Sequence, residues 1–167
     1  MGGSPSIKMA SRNKRRCNNG ITIVRSGISV YEIEVDLGKY ASLKSNEIHG
    51  FSGKLMRTFP TLRKHECYAG EAGGFESELK KGTDLAHVME HLILEMLKTA
   101  ARSHSRFSGW TRRKGKHHII HFQAPDGSTG RCAAISAKKV IESIIAGEKI
   151  DKRAIIKAIR DAKEVIR

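Results

Sequence analysis

The chain has 167 residues, a net charge of +14 and only 5% aromatic residues. That length fits one domain with a real core and is too short for a multi-domain enzyme, while the charge implies an acidic partner, a nucleic acid or a cationic solubility surface. Three widely spaced Cys argue against a disulfide framework and suit a reducing cytoplasm, and no apolar run reaches membrane-spanning length.

Residues 1–19 are small, polar and basic, with Lys14, Arg15 and Arg16 at their centre, and read as a disordered arm ahead of a single domain over residues 20–167. Residues 21–24 read as a short strand. From Val30 to Leu37 the apolar positions Tyr31, Ile33, Val35 and Leu37 alternate with Glu32, Glu34 and Asp36, which predicts a half-buried strand in a hairpin with the first. Ser45-Asn46-Glu47 signals a turn or helix start, and a short helix over residues 51–58 must stop near Pro60. The loop around Gly70, Gly73 and Gly74 lets the backbone pass close to another group. One or two helical turns over residues 75–80 then lead to Gly82.

The central helix is predicted over residues 84–101. No Pro or Gly interrupts it, and Leu85, Met89, Leu92 and Met96 form an apolar stripe that Val88 and Ile93 widen. His87 and His91 lie four apart on the opposite side, so two imidazoles aim at one point, as a tetrahedral metal requires from one helix. The order His-x-x-Glu-His is the inverted zinc-peptidase arrangement, with Glu90 placed to polarise a metal-bound water.

After this helix, residues 102–116 are basic and without apolar pattern, which predicts a mobile loop or lid carrying the single Trp, Trp110. A third strand follows at residues 117–122. Its adjacent His117 and His118 point to opposite faces and cannot share a metal. Pro125-Asp126-Gly127 is a turn, and amphipathic helices over residues 130–146 and 151–166 end the chain. Strand, strand, helices, strand, helix, helix reads as α+β, with a small sheet packed by several helices.

Several segments recur in a fixed order: Ser45-Asn46-Glu47-Ile48 with Gly50-Phe51, His65-x-Cys67, Gly73-Gly74-Phe75, Gly82-Thr83, and His87-Val88-x-Glu90-His91 with Leu94-Glu95. Together they resemble the N-terminal domain of cyanophycin synthetase, which builds a poly-aspartate backbone decorated with arginine. The resemblance covers residues 28–166. It implies a stand-alone version of that domain, since neither the ATP-grasp nor the Mur-ligase-like module fits here. No Gly-x-x-x-x-Gly-Lys-Ser/Thr occurs, so polymer synthesis by these residues is not expected.

The resemblance further implies polymer holding or a metal-dependent cut. It places zinc on His87 and His91, with Cys67 as third ligand and Glu90 as general base. Glu95, on the same helix, competes with Cys67 for the third position. A thiolate and two imidazoles leave one zinc position open. His65 reads as a supporting or surface residue. Gly73 and Gly74 can either present N–H groups to an oxyanion or serve helix packing, and Arg102, Arg106, Arg112 and Arg113 can steer a carboxylate-bearing chain. The sequence therefore predicts a zinc-dependent amide hydrolase acting on a peptide or poly-amino-acid chain. A non-catalytic module that anchors a polymer is the alternative, and nucleic-acid binding is a third reading resting on charge alone.

Overall fold

The computed structural model describes residues 15–17, 21–25, 30–67, 70–101, 106–115 and 117–162. Its centre is the helix α3 (Leu85–Ala101), which is buried nearly throughout, His87, Glu90, His91 and Glu95 included. The sequence periodicity leads one to expect a polar, accessible side. Instead, neighbouring elements enclose that side as well, so its ionisable groups must find partners inside the protein.

One of those neighbours is a five-stranded antiparallel sheet in the order β1 (Arg15–Cys17), β2 (Ile21–Arg25), β3 (Val30–Val35), β7 (His117–Gln123), β6 (Gly109–Lys114). Tyr31 pairs with Phe122 and Ile33 with Ile120, and all four side chains are buried in the core that α3 shares with the helix α4 (Gly127–Ala146). The expected hairpin of the second and third strands is present, with Ile23 opposite Ile33. Of the predicted arm, Arg15–Cys17 pairs with β2 and the remainder lies outside the described residues.

The predicted lid needs correction. Gly109–Lys114 is β6, an edge strand paired with β7, while residues 102–105 and 116 lie outside the described residues. The segment lacks an apolar alternation because one of its faces is turned to water, so its strand character rests on Trp110, Thr111 and the pairing itself. His117 is exposed and His118 buried, as the strand alternation requires.

The helix α1 (Phe51–Thr58) stops at Phe59, just before Pro60, and a 3-10 turn (Pro60–Lys64) leads to the two-residue strands β4 (Glu66–Cys67) and β5 (Glu71–Ala72). The helix α2 (Gly74–Lys81) follows. Asp126 caps α4 through the Thr129 amide, which starts that helix one turn before the predicted position. The helix α5 (Lys152–Asp161) packs on α3 and α4, burying Ile156 and Ile159. Among the described residues, no helix is long and apolar enough to cross a membrane.

Candidate metal centre

Three consecutive residues, Lys44, Ser45 and Asn46, fix the start of α3. Ser45 is buried. Its hydroxyl donates to the Leu79 carbonyl at 2.8 Å and accepts from the Thr83 amide at 3.0 Å, while its own amide donates to the Thr83 carbonyl. Lys44 pairs with Asp84 at 2.9 Å. Asn46 lies so close under Gly82 that a Cβ there would collide with its side-chain amide, and Gly82 also has φ +107°. These contacts set the rotation of the helix, and with it the direction of His87 and His91.

Cys67 arrives from β4. Gly73 and Gly74 bring it close: Gly73 adopts φ +85°, and a Cβ on Gly74 would stand 3.2 Å from the Cys67 amide nitrogen. Of their two sequence readings, the geometry displays helix packing, with the first turn of α2 pressed onto Cys67. Phe75, next in line, stacks on His91 (ring centroids 4.0 Å apart, 23° between planes) and meets His87 edge-on. Both imidazoles are thereby held in place by an aromatic wall.

Cys67, His87 and His91 each offer a ligand atom within 4.8 Å of the others. Cys67 Sγ is 3.4 Å from His87 Nε2, which is 3.1 Å from His91 Nε2. Tetrahedral zinc bonds of about 2.1 Å to nitrogen and 2.3 Å to sulfur place ligand atoms roughly 3.3–3.6 Å apart, so the Cys67–His87 separation falls in that range, the His87–His91 separation lies just below it, and the donor chemistry suits such an ion. The far nitrogens are engaged as well. His87 Nδ1 meets Thr83 Oγ1 at 2.8 Å, and His91 Nδ1 meets His65 Nδ1 at 3.1 Å. His65 Nε2 in turn meets Glu95 at 3.1 Å.

Burial shapes the electrostatics. It pushes the His91 pKa down to about 2, aided by His87 and His65, and it lowers His87 against the pull of Glu78 and Asp84. Both rings are therefore neutral at ordinary pH, the form that ligates metal. Burial also pushes Glu95 up, but hydrogen bonds from His65 and Thr61 outweigh it and hold that carboxyl below its usual range. Glu90 goes the other way, raised by burial despite its hydrogen bond from Thr111.

Of the residues singled out in the sequence, Cys67, His87 and His91 are brought together. Glu95 accepts from Thr61, His65 and Thr99 and stands outside the group. Glu90 accepts from Thr111 Oγ1 at 2.6 Å, turned toward β6. Arg106 is exposed in the segment leading to β6, and Arg102 lies outside the described residues. Sequence reasoning read Thr83 only as a possible start of the central helix and placed neither Thr83 nor Thr61 in the site. Thr83, at i−4 from His87, was legible as a partner; Thr61 was not, because only the fold brings it to Glu95.

The sequence profile described as the Cyanophycin synthase-like N-terminal domain matches residues 32–146. Cyanophycin synthetase of Trichormus variabilis is 32% identical over 137 residues, 81% of this chain. Those of Crocosphaera subtropica and Synechocystis are 34% and 31% identical over 116 and 117 residues, each 68% of this chain. The chain spans only about 15% of the length of the Trichormus relative and 13% of the other two. These relatives are named as synthetases, and this overturns the expectation of a zinc-dependent amide hydrolase or metallopeptidase. A five-residue pattern specifies a pair of imidazoles and a nearby carboxylate, and a reaction needs more than that. By the profile match and these identities, the chain belongs to the family of cyanophycin synthase-like N-terminal domains.

Proposed function

We propose that this domain is a non-catalytic binding module for a carboxylate-bearing poly-amino-acid chain, with a divalent metal of the zinc type held by Cys67, His87 and His91. The observation that carries this reading is the environment of Glu90, the candidate general base. Its carboxylate is engaged by Thr111, and Gly109 packs against its side chain. When bound, the metal would offer Lewis acidity to a carboxylate from its open position. The residues themselves hold neutral imidazoles in fixed orientation and wall them with Phe75. The relatives' name supports the choice of polymer, a chain of aspartate units bearing arginine.

The test is calorimetric titration of the full chain with β-linked aspartyl-arginine oligomers, alongside elemental analysis of protein purified without chelator. Binding of intact oligomers by protein carrying close to one equivalent of metal is the expected result. Metal-free protein that refuses added zinc at neutral pH would remove the metal from the reading. Absence of oligomer binding at millimolar concentration would remove the polymer.

A further inference from the structure

The outward face of the sheet at β6 carries a feature that the metal centre does not use. Trp110 is 52% exposed and is the only large hydrophobic side chain so exposed among the described residues. Its ring is not loose. It lies parallel to His121 of β7, with centroids 4.6 Å apart and 10° between planes. His121 is itself fixed: Arg112 Nε donates to its Nε2 at 3.3 Å, and Glu32 of β3 faces its Nδ1 at 3.8 Å.

Alternation along β6 places Arg112 and Lys114 on the same face as Trp110, and both are exposed. Two positive charges thus follow an oriented indole at intervals of about 6.8 Å. On the far side of β7 the face turns acidic with Glu32 and Glu34, which confines any polyanion to the β6 edge.

We propose that this edge binds single-stranded nucleic acid, with an unpaired base stacked on the open face of Trp110 and the adjoining phosphates on Arg112 and Lys114. Charge complementarity selects a polyanion, and the oriented aromatic ring selects its kind. A flat hydrophobic face held parallel to a supporting ring complements a base, whose π-face is of the same size. A peptide acidic throughout offers carboxylates to the cations but nothing flat to the indole. An arginine-bearing chain offers guanidinium planes, and tighter quenching by aspartyl-arginine oligomers than by the base-bearing oligomer would overturn the choice of a base. Duplex nucleic acid keeps its bases stacked on one another, so the ring has no partner there. One platform with two cations makes a small footprint, which entails weak, salt-steep binding. This surface is separate from the polymer and metal reading above and does not depend on it.

Trp110 is the single Trp of the chain, so its fluorescence reports stacking directly. The full protein is titrated with an eight-nucleotide DNA oligomer, an abasic oligomer of equal charge, and a polyglutamate of equal charge, at several salt concentrations. The base-bearing oligomer is expected to quench the fluorescence and to bind at least about tenfold more tightly than the other two. Trp110→Ala, which leaves no Trp and is therefore read by the anisotropy of dye-labelled polyanions, should erase that preference while leaving the salt dependence in place. Lys114→Gln, which removes no side-chain hydrogen bond or ion pair among the described residues, should reduce the slope of log affinity against log salt by about 0.7. Equal affinity for all three polyanions without quenching, or no binding at all, would overturn the proposal. Circular dichroism of each variant guards against loss of fold.

Discussion

His65 stands between Glu95 and His91, its two ring nitrogens 3.1 Å from a carboxylate oxygen on one side and 3.1 Å from His91 Nδ1 on the other. The carboxylate can only accept, so His65 Nε2 donates to it. In the neutral ring His65 Nδ1 is then an acceptor, and His91 Nδ1 must donate. That leaves the lone pair of His91 on Nε2, the nitrogen that faces His87 and Cys67. Glu95 thus sets the tautomer of a proposed ligand through an intervening imidazole, a role distinct from ligation. Glu95→Gln should weaken zinc affinity by about 10- to 100-fold and His65→Ala by a similar factor, read by competition with a chromophoric chelator. Unchanged affinity in both variants would show that His91 needs no such orientation.

Cys67→Ser should cost more than either of those changes, because a hydroxyl is a poor substitute for a thiolate toward a borderline-soft ion. The comparison also decides between the two candidates for third ligand left open by the sequence. A larger loss in Glu95→Gln than in Cys67→Ser would transfer ligation to Glu95.

How much of this was legible beforehand follows from where each signal resides. The pair His87 and His91 is a local fact of helical spacing, and the strand Tyr31 to Val35 is a local fact of alternation; both are readable without a fold. The burial of Glu90 and Glu95 is not. It depends on β6 and on the turn carrying Thr61, and β6 has a sequence, Gly-Trp-Thr-Arg-Arg-Lys, that reads as loop because an edge strand can be polar on its open side. The position of Cys67 beside His87 was reached through resemblance, since nothing in a single sequence measures the distance between residues 67 and 87. The hydrolase reading, drawn from the motif together with the resemblance, failed at a different level, because the relatives are named for synthesis.

Gly109 offers a stability test of the β6 to α3 contact. A Cβ there would lie 2.8 Å from the His121 carbonyl oxygen and 3.3 Å from Glu90 Cγ. The first neighbour is backbone in the paired strand β7 and cannot swing aside. Gly109→Ala should therefore destabilise the protein by about 1–3 kcal/mol, seen as a lower urea midpoint with little change in slope. Gly115→Ala, on the same hairpin, meets nothing within 4 Å but has φ +60°, so its cost is conformational and should be nearer 1 kcal/mol. Equal midpoints for Gly109→Ala and wild type would show that β6 does not press on Glu90 in solution.

His118 lies outside the metal-binding group and couples stability to pH. His118 is buried at the inner side of β7, and burial lowers its pKa from the ordinary 6.5; Arg113 and Lys44 act in the same direction, while Asp84 opposes them. Its Nε2 faces the Asp84 carboxylate at 3.7 Å, beyond direct hydrogen-bond reach, so the charged form gains little in return for leaving water. A folded-state pKa below the unfolded one means that, as pH falls, the unfolded chain takes up this proton first. The stability tied to neutral His118 is therefore fully present above about pH 6.5 and is lost progressively as pH drops toward the lower folded value. His118→Asn removes the titration. The stability difference between wild type and this variant, from urea unfolding in chelator at pH 7.5 and 5.5, should shift against the wild type on acidification. The shift can approach about 1.4 kcal/mol for each pH unit below the unfolded pKa, the limit for one proton. A difference that stays constant across that range would mean that His118 is as easily protonated in the folded protein as in the unfolded chain, and that Asp84 compensates its burial in full.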